Sequence, residues 1–274
     1  MWERNGLIGL AVVLAAAGLG AAPPPEADPE AGGVTGGLYD NPYFGLRYPL
    51  PDGWTPNLAG PKPSRNGDYV LMPLAAPAGQ KALLQFGAQD LFFAKSPPSG
   101  ALAAARALQS SVSAIDGTQI DAEAKEITLS GRSAARLDYS GAGLYHAYVV
   151  TVLRCHLVGV TATATDRSEL ERLADSLDKL VLPAADEPAC VKDYASPETM
   201  VQQSQPALSG AKFTKIPVRI VIGPDGAVRH VHVINAAPEQ RAVIEAALKT
   251  WQFKPYRKDG ATAAVETGLT FEVK

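Results

Sequence analysis

The sequence predicts an α+β chain of two domains, and three observations carry that prediction. Residues 205–274 hold a β-hairpin, a helix and a closing strand in that order. Residues 39–183 alternate strand-like runs with two helical stretches, as expected of an antiparallel sheet with helices. Between them, residues 184–204 carry Pro188 and Pro197 and read as a linker.

The C-terminal unit has the clearest pattern. Val218, Ile220 and Ile222 fall on one face of a strand. Gly223-Pro224-Asp225-Gly226 is turn chemistry: Pro presets φ, Asp tolerates the bend and Gly226 accepts positive φ. A second strand runs from Ala227 to Asn235. Pro238-Glu239 suits a first helical turn, where Pro lacks only an orphan donor and Glu meets the positive helix end. Ile244, Leu248 and Trp251 recur at helical spacing, and Lys254-Pro255 is the expected helix end. In the closing strand Leu269, Phe271 and Val273 alternate with Thr270, Glu272 and Lys274.

These residues resemble the C-terminal domain of the TonB family of periplasmic energy transducers. The resemblance is carried by the runs 218–222 and 224–228, by Val231-His232-Val233 and Ala246-Ala247-Leu248, by Trp251-Gln252-Phe253-Lys254-Pro255, and by the Gly260 loop. It implies a domain that engages an extended segment of a partner protein, such as an outer-membrane receptor, by strand pairing. Leu269, Thr270, Phe271, Glu272 and Val273 are then the expected partner-binding edge. Two family features are missing: a Tyr-Pro pair ahead of the first strand, where Gln205-Pro206 stands, and a long Lys-Pro/Glu-Pro repeat.

From the N-terminus, Gly6 to Ala22 is a run of 17 residues without a polar side chain, preceded by Arg4 and closed by small residues. It reads as a signal peptide over residues 1–22 and places the mature chain in a periplasm or outside the cell. An uncleaved inner-membrane anchor facing the periplasm is the alternative. Residues 23–38 are rich in Pro, Gly and Ala and read as a flexible lead-in. Aromatic-rich strand and turn sequence follows at 41–54, then strands at 69–74 and 82–93. A helix over 101–115 puts Leu102, Ala105, Leu108 and Val112 on one face. Residues 126–139 read as one strand and 145–163 as two, folded back near Arg154-Cys155-His156. Asp166 and Glu169 begin a last helix whose Leu170, Leu173, Leu177 and Leu180 share a face. The run 43–48 and the Asp52-Gly53-Trp54 turn, with the sheet-then-helix order, resemble the PsbP-like fold of bacterial envelope proteins.

Composition narrows the function. The chain is 46% hydrophobic and 19% charged, as a folded protein is. Its net charge of −3 divides into +4 over residues 205–274 and −7 over the remainder, with no dense basic run, which argues against nucleic acid as a partner. Cys155 and Cys190 are the only cysteines, and an even count in an exported chain predicts a disulfide, with two unpaired buried thiols as the alternative. His230 and His232 point the same way on one strand but lack a third ligand, so no metal site is expected. No nucleophile elbow, phosphate loop or carboxylate pair is present, and no catalytic residue or cofactor is expected. The reading is a non-enzymatic interaction module of the cell envelope. An anchored energy transducer, an exported enzyme with a cleft in 39–183, and a scaffold are the alternatives.

Overall fold

The computed structural model describes residues 27–56, 67–185, 188–208 and 213–273. The expected signal segment 1–22 lies outside them. The protein is mixed α/β and mostly sheet.

A three-stranded antiparallel sheet opens it, β1 (Gly33–Thr35), β2 (Leu38–Asn41) and β3 (Leu46–Pro49). The main sheet is built from β4 (Thr55–Pro56), β5 (Asp68–Ala75), β6 (Ala82–Asp90), β7 (Thr118–Leu129), β8 (Arg132–Gly141), β9 (Leu144–Leu153) and β10 (His156–Ala164). Its order is β4-β5-β6-β10-β9-β8-β7. Helix α1 (Ala101–Ser113) covers one face through Ala101, Ala104 and Ala105, against Leu137, Val150 and Leu157. Helix α2 (Arg167–Ser176) covers the other through Leu170 and Leu173, in the core that also takes Tyr39, Leu46 and Tyr48. Asp166 caps α2 by accepting the Ser168 and Glu169 N–H groups at 2.9 and 3.1 Å, the start its sequence predicts.

The second assembly is a four-stranded sheet, order β11-β18-β13-β14, from β11 (Ala189–Cys190), β13 (Lys215–Ile222), β14 (Val228–Val233) and β18 (Val265–Glu272). Four small strands accompany it as two separate pairs: β12 (Met200–Gln202) with β15 (Gln252–Phe253), and β16 (Arg257–Lys258) with β17 (Ala261–Thr262). Helix α3 (Pro238–Leu248) lays Ile244 and Leu248 on the Val218, Ile220, Ile222 and Val233 face. Gly226 is obligatory in the β13–β14 turn: its φ is +83°, and a Cβ there would sit 1.9 Å from the Phe253 carbonyl oxygen.

Four expectations need correction. The run 126–139 is not one strand, because Ser130 and Gly131 both take positive φ and make a hairpin of it. The last helix stops at Leu248, where the Thr250 hydroxyl bonds the Ala247 carbonyl at 2.8 Å and ends the ladder, so Trp251 follows the helix. The linker 184–204 supplies β11 and β12, whose backbone groups satisfy strands of the second assembly. The lead-in is tied down over its described part, with the Pro29 carbonyl accepting from Asn41 Nδ2 at 2.9 Å and β1 pairing with β2.

Candidate functional site

Position in the sheet gives β18 an unusual edge. On one side it pairs along its whole length with β13, from Ile222↔Val265 to Lys215↔Glu272. On the other side β11 runs parallel to it and meets only Val265 and Glu266. The Gly268 N–H then donates to the Lys192 carbonyl at 3.2 Å, which shows that Gly268 turns its amide outward. The Val273 N–H donates inward to the Thr214 carbonyl at 2.9 Å. Antiparallel amides alternate, so Thr270 and Glu272 share the outward sense of Gly268. Among the described residues, no strand covers the edge of β18 beyond Gly268.

The five residues expected at this edge divide by face. Leu269, Phe271 and Val273 pack on the core beneath α3, and Thr270 and Glu272 are exposed. A groove of about 520 Å³ runs beside them, lined also by Met200, Pro206, Leu208 and Trp251. The outer edge of β14 is also unpaired among the described residues, and it carries His230 and His232.

The opposite face of the sheet is fixed by buried charge. Its strands put Arg219 and Glu266 away from α3, at 1% exposure each. The tip of the β9–β10 hairpin enters here. Arg154 and Cys155 form a two-residue turn with φ of 45° and 51°, a conformation that the neighbouring hairpins give to Ser130-Gly131 and Ala142-Gly143. Two non-glycine residues at such positions cost about 1–3 kcal/mol each, so the surroundings must hold them. They do. Arg154 Nε and Nη2 both reach Glu266 Oε2 at 2.9 Å, and the Cys155 sulfur bonds Cys190. Glu266 Oε1 accepts from Tyr43 Oη at 2.6 Å and from Arg219 Nε at 3.0 Å. Arg219 Nη1 lies 2.9 Å from Asp90 Oδ1, and its Nη2 donates to the Arg154 carbonyl at 2.8 Å. Gly268 lacks a side chain where Phe92 and Phe93 press against the sheet; a Cβ would lie 3.1 Å from Phe93.

Burial pushes the Glu266 carboxyl up, and the two guanidinium groups more than reverse this, leaving it below its ordinary range and ionised. Asp90 is held up by burial, only partly offset by Arg219. Burial, then the charge of Arg219, drives His156 well below its ordinary value. Its Nδ1 must donate, because the Arg154 carbonyl at 2.8 Å only accepts. The folded ring is therefore neutral. The unfolded chain takes up a proton as pH falls through 6.5 and the fold refuses it, so stability falls as pH drops below 6.5. Burial displaces His146 in the same direction and adds to the slope. Urea unfolding at about pH 7.5 and about pH 5.5 should show a lower midpoint at the acid pH, and His156→Phe should flatten the difference. An equal slope in the variant would mean that His156 titrates freely in the fold.

Cys155 and Cys190 are joined, with Cα atoms 6.1 Å apart. His230 and His232 do point the same way: His230 Nε2 and His232 Nδ1 each stand 2.9 Å from Asp28 Oδ1. Burial raises Asp28, but the two imidazoles outweigh it and hold the carboxyl far below its usual range. Among the described residues, no cluster of three or more His, Cys, Asp or Glu is arranged to hold a metal ion. The ionisable cluster is buried, and its Tyr43 and Arg154 also line a cleft of about 290 Å³ beside Pro42 and Pro183. At the surface, the β18 edge offers backbone hydrogen-bonding groups beyond Gly268.

Sequence reasoning missed Arg154, Glu266, Asp90 and His156. The one signal was Arg219, a charge inside an otherwise aliphatic strand. Among the described residues, no helix is long and apolar enough to cross a membrane.

Comparison with solved structures finds the solution structure of cyanobacterial PsbP (CyanoP) from Synechocystis sp. PCC 6803. The two are 14% identical with a TM-score of 0.39, over 53% of this chain and 91% of that one. No family model and no curated protein matches the chain.

Proposed function

We propose that this is an exported cell-envelope protein whose C-terminal, TonB-like unit is an interaction module that receives an extended segment of a partner protein along the outer edge of β18. One observation carries the reading: beyond Gly268 the outward amides of Thr270 and Glu272 have no strand over them among the described residues. Such an edge is a template for another backbone. The groove beside it favours a segment with apolar side chains on the face towards Met200, Leu208 and Trp251. The disulfide supports an oxidising compartment, such as a periplasm.

The test uses peptides selected on the immobilised protein from a random library. Thr270→Pro removes an outward donor and adds a ring without breaking the ladder to β13, where Thr270 faces Pro217. The variant should keep the parental melting temperature and lose at least about tenfold in affinity for the selected peptides. Undiminished binding by Thr270→Pro would refute strand addition at β18.

A further inference from the structure

We infer that strand β11 is an in-chain occupant of the strand-addition edge, clamped there by the Cys155–Cys190 disulfide and released when a dithiol reduces that bond. The inference rests on the reading of β18 given above and adds its regulation and the direction of the bound strand.

β11 sits where a partner strand would sit. It runs parallel to β18 on the outer side, with Ala189 opposite Val265 and Cys190 opposite Glu266. The Ala189 N–H donates to the Ala264 carbonyl at 3.0 Å and the Val191 N–H to the Glu266 carbonyl at 2.9 Å. The Lys192 carbonyl accepts from the Gly268 N–H at 3.2 Å and from the Thr267 hydroxyl at 2.8 Å. The segment therefore fills the first half of the edge and leaves the second half open.

Apart from these four hydrogen bonds and Val191, which packs against the C-terminal core, the segment has little to hold it. It is two residues long, it pairs on one side only, and its pairing is parallel, the weaker kind per residue. Its firmest tether is covalent and comes from elsewhere. Cys190 is bound to Cys155 at the tip of the β9–β10 hairpin, 35 positions earlier, which Arg154 anchors on Glu266. Cys155 and Cys190 are each only partly buried, and release requires that a small dithiol reach the bond. Its thiolate attacks one sulfur to give a mixed disulfide and its second thiol closes on the first. The dithiol leaves oxidised, and Cys155 and Cys190 take its two electrons and two protons as thiols. With β11 free to leave, the Ala264 and Glu266 carbonyls and the Gly268 amide join Thr270 and Glu272 in one continuous edge. A partner that takes the place of β11 runs parallel to β18.

The test is amide exchange on the full chain, oxidised and after dithiol treatment with both thiols verified by titration. The Ala189, Val191 and Gly268 amides should exchange at least about tenfold faster after reduction, while Val273, bonded to Thr214, keeps its rate. Cys190→Ser should reproduce the effect without reductant. Peptides that bind the Thr270 edge should bind the reduced protein at least about tenfold tighter. Unchanged exchange at all three amides overturns the clamp, as does equal acceleration at Val273, which would make the bond a global staple. Unchanged peptide affinity with faster exchange overturns the occupancy. Exchange at Thr270 and Glu272 reports separately on the edge itself: protection there in the oxidised protein sinks the reading of β18 without touching the release of β11.

Discussion

Glu266→Ala should destabilise the protein by about 3–5 kcal/mol, the cost of removing one partner from a buried ion pair. Glu266 is the common acceptor of Arg154, Arg219 and Tyr43, and all four are buried. Without it Arg154 and Arg219 lose the carboxylate they share, and Arg219 keeps Asp90. The loss falls where the hairpin tip meets the C-terminal sheet, so both assemblies should lose cooperativity together. Urea unfolding followed by Trp fluorescence measures it, since Trp54 and Trp251 lie in different cores. Glu266→Gln should cost less, because the amide oxygen still accepts from Tyr43. A cost for Glu266→Ala below about 1 kcal/mol, the range of exposed pairs, would mean that water reaches the cluster.

Trp251→Ala should cost about 3–5 kcal/mol by a different route, the cavity left by a large buried ring. The ring is 4% exposed, 5.9 Å from Phe271 and 6.2 Å from Phe253 between centroids. Its Nε1 donates to the Ser204 carbonyl at 2.8 Å and so fastens the segment that walls the groove. Peptide affinity at the β18 edge should fall with stability in this variant, whereas Thr270→Pro separates the two. A variant that melts like the parent and changes only in binding would make Trp251 a surface contact.

The parts of the fold legible in the sequence are those set by local chemistry. The 223–226 turn, the α2 cap and the alternation of Leu269, Phe271 and Val273 each follow from residue type and spacing, and each is found. The hairpin at Ser130-Gly131 was also written locally, in a serine-glycine pair that a continuous strand reading passed over. Long-range pairing was not legible. Nothing local marks Ala189–Cys190 as a strand, because its partner lies 76 positions away in β18. Glu266 reads as one polar residue in an alternating strand, and only the arrival of Arg154 from 112 positions away makes it the centre of a charge cluster. For the candidate site, the in-and-out alternation of 269–273 was visible, and the partial cover supplied by β11 was not.

Exchange at two amides tests the central claim most directly. In the isolated, oxidised protein the Thr270 and Glu272 N–H groups should exchange quickly while Val273, bonded to Thr214, stays protected. Protection of all three would show that the outer edge of β18 is already filled and would contradict strand addition there.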